Sequence, residues 1–255
     1  DIEFTKAFGY NGARKHQKVE DPMYLYWCDK MGLLVWGEMA SPYEYDAKMV
    51  EANTYEWLNA LKRDYNHPCI VVWTLMNESW GIPSVYSDKK QQHHTMALYH
   101  MVKSLDSTRL VVTNDGWEHT CSDIVTIHDY IEDGDRFTER YNNINSVMEG
   151  CANGSKPVFA NGFKYEGQPV ILSEFGGIAF DSKSGWGYGN KVQDEDALLN
   201  RFRKITKAIA DTDYICGYCY TQLTDVQQEV NGLLTFDRKP KIAPEKVKQI
   251  NDAVK

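Results

Sequence analysis

The sequence of 255 residues predicts an α/β chain, and within that class a (β/α)₈ TIM barrel. Three observations predict it. Short apolar runs alternate with longer stretches of helical periodicity, the order that builds βαβ units and a parallel sheet. The apolar runs are nearly continuous, as suits strands covered on both faces. Each run also ends in polar or charged residues, and a barrel collects its reactive groups at the carboxyl ends of its strands. A doubly wound sheet would instead announce itself by a Gly-rich phosphate turn, which the sequence lacks.

The elements follow in order. Residues 1–8 place Ile2, Phe4 and Ala7 or Phe8 on one side of a helix, leading into a strand at 12–15 that ends near Arg14 and His16. A helix at 22–31 precedes a strand at 33–38 ending in Glu38. The next helix, 48–65, repeats Val50, Tyr55, Leu58 and Leu61 at helical spacing with charges opposite. The stretch "IVVWTLMNESWG" then gives a strand at 70–77 and delivers Asn77, Glu78 and Trp80 at its end. A helix at 89–105 carries His93, His94 and His100, which read as surface or packing residues. Strands at 110–114 and 124–128, a helical piece around 137–147 and a strand at 170–174 come next. A helix at 194–211, a strand at 215–222 and a helix at 244–253 complete the chain.

That is seven strands where eight close a barrel. The missing strand is expected to be the first, upstream of residue 1, making this chain part of something longer. An open barrel would expose the edges of its second and eighth strands, which favours association with other domains, a homo-oligomer, or weak stability.

Composition narrows the partners. A net charge of -8 argues against a nucleic-acid partner, which usually calls for a basic face. No apolar run approaches the roughly 20 residues that span a bilayer, so no membrane partner is expected. The 7 Trp, 16 Tyr and 9 Phe supply flat faces on which sugars can stack, although most aromatics serve the core. Six scattered cysteines read as free, mostly buried thiols. Cys216 and Cys219 form a C-x-x-C, but on a strand that offset sends the thiols to opposite faces, and nothing completes a zinc set. His67, in "NHP", precedes a strand at the other barrel end and reads as structural.

Glu78 and Glu174 are the sharp pair. They end the runs "VVWTLMNE" and "PVILSE", 96 residues apart, a spacing that fits three βα units. Two carboxyls about 5–5.5 Å apart equip a retaining glycosidase, one as nucleophile and the other as acid, then base. The plain alternative is a pair of rim salt bridges. Asn77 tips the balance, because an amide there can hold a sugar hydroxyl.

"NHPCIVVWTLMNESWG" and "PVILSEFGG" resemble the acid/base and nucleophile segments of glycoside hydrolase family 2, the family of β-galactosidases and β-glucuronidases. "GYNGARKHQKVEDPMYLYWCDKMGLLVWGE", "VVTNDGWEHTCSDIVTIHDY" and "GYCYTQLTDVQQEVNGLLTFDRKPK" extend the likeness in order through the chain. The resemblance implies a carbohydrate substrate and a retaining mechanism, with Glu78 as acid/base and Glu174 as nucleophile. It implies β-sandwich domains ahead of the barrel. It assigns Arg14 to positioning the nucleophile, Glu38 to hydrogen bonding within the pocket and Tyr130 to a hydrogen bond with the nucleophile, a role that a one-residue shift of the match would give to Asp129, with His128 beside it. Tyr220 matches a tryptophan that forms a sugar platform, and Trp80, Trp117 and Trp186 would line the entrance. His16 is displaced by one residue from the family pattern, so its role stays open between rim and substrate.

The N-x-K of the glucuronidases is not matched at "EVNGLLTFDRKPK", where Asn231 is followed by Gly232 and Leu233. That favours a neutral glycoside, a β-galactoside first. "GEMASPYEY" offers no match to the family's metal-binding glutamate and histidine, so neither metal nor other cofactor is expected. Three other readings stay open: an inactive or merely carbohydrate-binding barrel, an endo-acting glycanase, and a β-glucuronidase.

Overall fold

A computed structural model describes residues 1–151, 153–181 and 184–254. In chain order the elements are α1 (Ile2–Ala7), β1 (Gly12–Arg14), α2 (Pro22–Met31), β2 (Leu34–Glu38), α3 (Ala47–Asp64), β3 (Ile70–Thr74), α4 (Lys89–Leu105), β4 (Leu110–Val112) and β5 (Val125–His128). They continue with α5 (Gly134–Arg140), α6 (Ile144–Glu149), β6 (Val170–Gly176), α7 (Glu195–Ala210), β7 (Ile215–Thr221) and α8 (Pro244–Ala253). Six of the helices begin behind an aspartate, and in five of them its side chain caps the first turn. Asp21, Asp46, Asp88, Asp133 and Asp194 each accept a hydrogen bond from an otherwise orphaned backbone N–H in the first turn. The stop of α2 is equally local: Gly32 takes a left-handed φ of 67°, which glycine adopts without penalty.

The chain divides into two compact units, Gly12–Ile127 with Asn145–Val170, and Asp1–Asn11 with His128–Ile144 and Ile171–Lys255. The unit that begins at Gly12 carries a four-stranded sheet in the order β1-β2-β3-β4, parallel throughout. Its core joins helix to strand. Trp57 of α3 meets Trp73 of β3 edge-on with ring centroids 6.2 Å apart, and both are buried. The Trp73 indole N–H donates to Asp106 at 3.0 Å, and Arg109 donates to the same carboxylate at 2.6 Å. Asp106 closes the α4–β4 turn by also accepting from the amide and hydroxyl of Thr108. Burial works against its charge, but these donors hold its carboxyl well below the usual carboxylate range.

The other unit holds β6 from Ile171 onward, β7 and His128 at the carboxyl end of β5; the sheet order is β5-β6-β7. Phe175 of β6 and Phe202 of α7 fill its core with Tyr220 of β7. Asn251 of α8 donates to the Phe8 carbonyl at 2.9 Å, tying the last helix to the end of α1.

The helical piece expected around 137–147 is two helices, α5 and α6, interrupted at residues 141–143. Asp133 caps α5 earlier than the apolar spacing suggested, and Tyr141 then leaves helical geometry to donate its hydroxyl to Asp129 at 2.9 Å. The six cysteines are free, but they are not mostly buried. Only Cys28 and Cys69 are; Cys151 and Cys216 are exposed, the latter because β7 is half-exposed along most of its length. His94 is buried and packs edge-on against Tyr45, whereas His93 and His100 are exposed. No helix among the described residues is long and apolar enough to cross a membrane.

Removing one partner of a buried ion pair strands the other, at a cost of about 3–5 kcal/mol. Asp106→Ala is therefore expected to destabilise the fold by about that amount, read as a fall in the urea midpoint with an unchanged slope. A loss below about 1 kcal/mol would contradict the role given to this carboxylate.

Candidate active site

Glu78 stands where the chain leaves the sheet after β3. Its amide donates to the Asp115 carbonyl at 3.0 Å, extending the strand pairing beyond the formal end of β3, and Asn77 pairs with Asp115. The backbone then reverses sharply: Glu78 and Ser79 both have left-handed φ values, 51° and 61°. Two such residues in succession are costly for side-chain-bearing residues and need holding. Ser79 supplies the hold. Its amide donates to Asn114 at 2.9 Å and its hydroxyl donates to Glu118, while Asn114 donates back to the Ser79 hydroxyl at 3.0 Å. The result presents the half-buried Glu78 on a braced turn.

Beside it lies a buried charge cluster. Arg14 donates from Nε and Nη2 to the two oxygens of Glu38 at 2.7 and 2.9 Å, and from Nη2 to Asn77 Oδ1 at 2.7 Å. Arg14 Nε also lies 2.8 Å from Asp115 Oδ2. Each of these groups ends or follows one of the strands β1 to β4. The Arg14 contact fixes the Asn77 amide with its oxygen inward, so Nδ2 is the end that can donate outward. Burial pushes the Glu38 carboxyl up to about 7; Arg14 pulls against that push, and the Asp115 charge adds to it. His16 Nδ1 lies 3.2 Å from Arg14 Nη2 with its side chain more than half exposed, so the displaced histidine sits at the margin of this cluster.

In the other unit, Glu174 is buried near the carboxyl end of β6. Tyr130 donates its hydroxyl to Glu174 Oε2, and His128 Nδ1 lies 3.4 Å from the same oxygen. Burial first, then the Glu174 charge, pushes the Tyr130 phenol well above its ordinary value, so it remains a donor. Tyr188 stacks on Tyr130 with ring centroids 3.4 Å apart, and Trp186 meets Tyr188 edge-on at 5.5 Å. Asp129, the neighbour of Tyr130, is engaged elsewhere, accepting from Arg140 at 2.5 Å and from Tyr141. A second network runs from Gln222, which donates to Asn231 at 2.8 Å, to Asn231, which donates to Glu229 at 3.0 Å. Burial raises the Glu229 carboxyl, Asn231 pulls it back, and the charge of Glu174 raises it further.

Arg14, Glu38 and Asn77 form one cluster, and Tyr130 with His128 reaches Glu174. Trp80 and Trp186 are exposed at loop positions, and Trp117 lies under the ammonium of Lys156 at 5.9 Å. Tyr220 differs. It was expected to offer a sugar platform, but it is buried, meets Phe175 and Phe202 edge-on, accepts a hydrogen bond from the Ile178 amide, and lies against Gly176, where any side chain would collide with it. Its ring is core; Tyr188 is the aromatic on the Glu174 side that sequence reasoning missed. Asp115, legible as an acid at a strand end, was given no role by sequence reasoning, yet it joins the Arg14 cluster. His67 is structural as expected: its Nδ1 sits 2.7 Å from Asp29 Oδ2, and the other Asp29 oxygen accepts from the Cys69 amide. Those three side chains have the donors of a metal site; His67 and Asp29 meet each other directly, and the Cys69 thiol donates to the Leu25 carbonyl at 3.5 Å.

Comparison with known proteins places this geometry. The α/β fold is that of a TIM barrel domain: residues 1–255 match "Glycosyl hydrolases family 2, TIM barrel domain". The chain belongs to glycosyl hydrolase family 2. It is 25% identical to a β-galactosidase of Vibrio cholerae over 98% of this chain and 24% of that protein. It is 33% identical to a putative β-glucuronidase of Formosa agariphila over 32% of this chain and 10% of that one. The chain thus spans a quarter or less of these relatives. Among solved structures, a β-galacturonidase of Eisenbergiella tayi superposes with a TM-score of 0.75 at 18% identity, over 99% of this chain and 47% of that one. The β-D-glucuronidase of Dictyoglomus thermophilum gives 0.76 at 18%, over 98% and 46%.

The buried cluster makes stability depend on pH. A carboxyl raised from 4.5 to about 7 binds its proton more tightly when folded, so its contribution is full below 4.5 and is lost as pH rises through about 7. Wild-type stability is expected to fall between pH 5 and pH 8, by up to about 3 kcal/mol, relative to Glu38→Gln, whose amide does not titrate. Parallel profiles for the two proteins, from urea melts at each pH, would contradict this.

Proposed function

We propose that this chain is the catalytic part of a retaining β-glycosidase, with Glu174 as nucleophile and Glu78 as acid, then base. One observation carries the reading. In a chain that matches glycosyl hydrolase family 2 from end to end, a buried carboxylate at a strand end is held by a phenol and an imidazole.

The residues suit the steps. Glu174 attacks the anomeric carbon while Glu78 gives its proton to the departing oxygen, leaving a glycosyl ester on Glu174. Deprotonated Glu78 then takes a proton from water as the water attacks the same carbon, and the ester bond breaks. Tyr130, kept protonated, orients the Glu174 carboxylate, and its hydrogen bond weakens as the attacking oxygen loses charge to the ester. Asn77, turned by Arg14, offers Nδ2 to a sugar hydroxyl in an interaction that strengthens as positive charge develops on the ring. No metal or cofactor enters these steps.

The substrate class we favour is a neutral β-glycoside, with β-galactoside first. The N-x-K place supports that choice: Asn231 is followed by Gly232 and Leu233, and Asn231 itself is engaged by Gln222 and Glu229. A uronic acid carboxylate there would find no lysine to pair with.

A panel of aryl β-glycosides tests the proposal. Galactoside turnover is expected, with glucuronide and galacturonide at least about 100-fold slower in kcat/KM, the cost of roughly 2.7 kcal/mol of unpaired buried charge. Glu78→Ala and Glu174→Ala should each lose at least about 100-fold. Azide should restore both, giving the β-glycosyl azide from Glu78→Ala and the α-glycosyl azide from Glu174→Ala. Preferred turnover of a uronide would overturn the substrate class, and full activity in either variant would overturn the roles.

A further inference from the structure

Beyond the reacting groups, an exposed aromatic pair stands beside Glu78 in the same unit. Trp80 is two residues past Glu78 and is 49% exposed; Tyr43, in the loop between β2 and α3, is 86% exposed. Their ring centroids lie 6.2 Å apart at an interplanar angle of 83°, so one ring presents its edge to the other's face. A pair of large aromatic side chains left open to water at a strand end is costly to leave uncovered, unlike a single scattered apolar residue.

The two loops are fastened to each other and to the charge cluster. The Asn77 backbone N–H donates to Ser41 Oγ at 3.1 Å, the Ser41 backbone N–H donates to Gln17 Oε1 at 2.9 Å, and the Gln17 backbone N–H donates to Glu38 Oε1 at 2.9 Å. Gly81, at φ 77°, lets the Trp80 turn close over Pro42; a Cβ there would fall 2.4 Å from the proline ring. The aromatic corner is therefore set by the same bonds that set Asn77 and Glu38, and a preformed surface loses less entropy on binding than a loose one.

We propose that Tyr43 and Trp80 form the leaving-group subsite, a right-angled corner that takes a flat ring with an apolar face. The inference rests on Glu78 being the acid/base. A carboxyl that protonates the departing oxygen must lie next to the group that oxygen carries away, so side chains projecting outward beside Glu78 meet the aglycone rather than the retained sugar. Stacking on an aromatic face suits a phenolic aglycone and also the apolar face of a second sugar ring. An alkyl aglycone has no flat face to offer. The corner thus confers preference on the bond-breaking step alone, because the aglycone has left before the glycosyl ester is hydrolysed.

The test compares kcat/KM for an aryl β-galactoside, a β-galactosyl disaccharide and methyl β-galactoside in wild type, Tyr43→Ala and Tyr43→Phe. Tyr43→Ala is expected to lower the aryl-to-methyl ratio by about 3- to 10-fold, the size of one ring contact, while Tyr43→Phe keeps it. Tyr43→Ala should melt like wild type, since the side chain is almost wholly exposed. If the disaccharide-to-methyl ratio falls and the aryl ratio falls less, the natural occupant is a second sugar; the reverse identifies a phenolic one. An unchanged set of ratios in an active enzyme would overturn the subsite and leave the glycosidase standing. No turnover of any glycoside by wild type would overturn both.

Discussion

Arg14 is the interaction on which the sheet of one unit depends. Its guanidinium contacts Glu38 at the end of β2, Asn77 after β3 and Asp115 after β4, so that one cation from the end of β1 ties together the ends of four successive strands. Burying these charges is expensive, and the arrangement is tolerated because each has partners at hydrogen-bonding distance. An arginine suits the place where a lysine would not, since its planar fork can serve several acceptors at once without losing its charge. The same contacts orient the Asn77 amide and, through Gln17 and Ser41, the loop that carries Tyr43. Stability and site geometry therefore share one set of bonds.

On the Glu174 side, a phenol donates to the carboxylate and an imidazole nitrogen lies 3.4 Å from it. A phenol kept protonated by burial orients a carboxylate without adding a charge of its own. Tyr188 fixes the Tyr130 ring by stacking, and Gly177 leaves the space that the Tyr188 ring occupies. Local backbone preference is overridden at Glu78 and Ser79, whose left-handed turn is held by the Ser79 bonds to Asn114 and Glu118.

Much of this was legible in the sequence because its physical cause is local. Apolar periodicity marked every strand and every long helix, and the polar residues at strand ends marked Arg14, Glu38, Asn77, Glu78, His128 and Glu174. What was not legible depends on direction. Tyr220 reads as a strand-end aromatic, but side chains alternate along a strand, and a shift of one residue exchanges the open side for the helix-covered side. Tyr188 and Tyr43 lie on loops without periodicity, where only the folded chain shows which rings meet. The break between α5 and α6 was hidden because Phe137 and Val147 keep apolar character across it. Asp115 was visible as a strand-end acid, but its bond to Arg14 joins residues about a hundred positions apart in the chain.

The central claim is that two glutamates divide the work, with Glu174 carrying the sugar between steps. The most direct measurement is peptide mapping by mass spectrometry after incubation with a fluorinated, slowly turned-over β-glycoside bearing a good leaving group. The account predicts one glycosyl adduct per chain, on the peptide containing Glu174, absent from Glu174→Ala and unchanged in position in Glu78→Ala. An adduct on Glu78, or hydrolysis of the compound through inversion with no adduct at all, would contradict it.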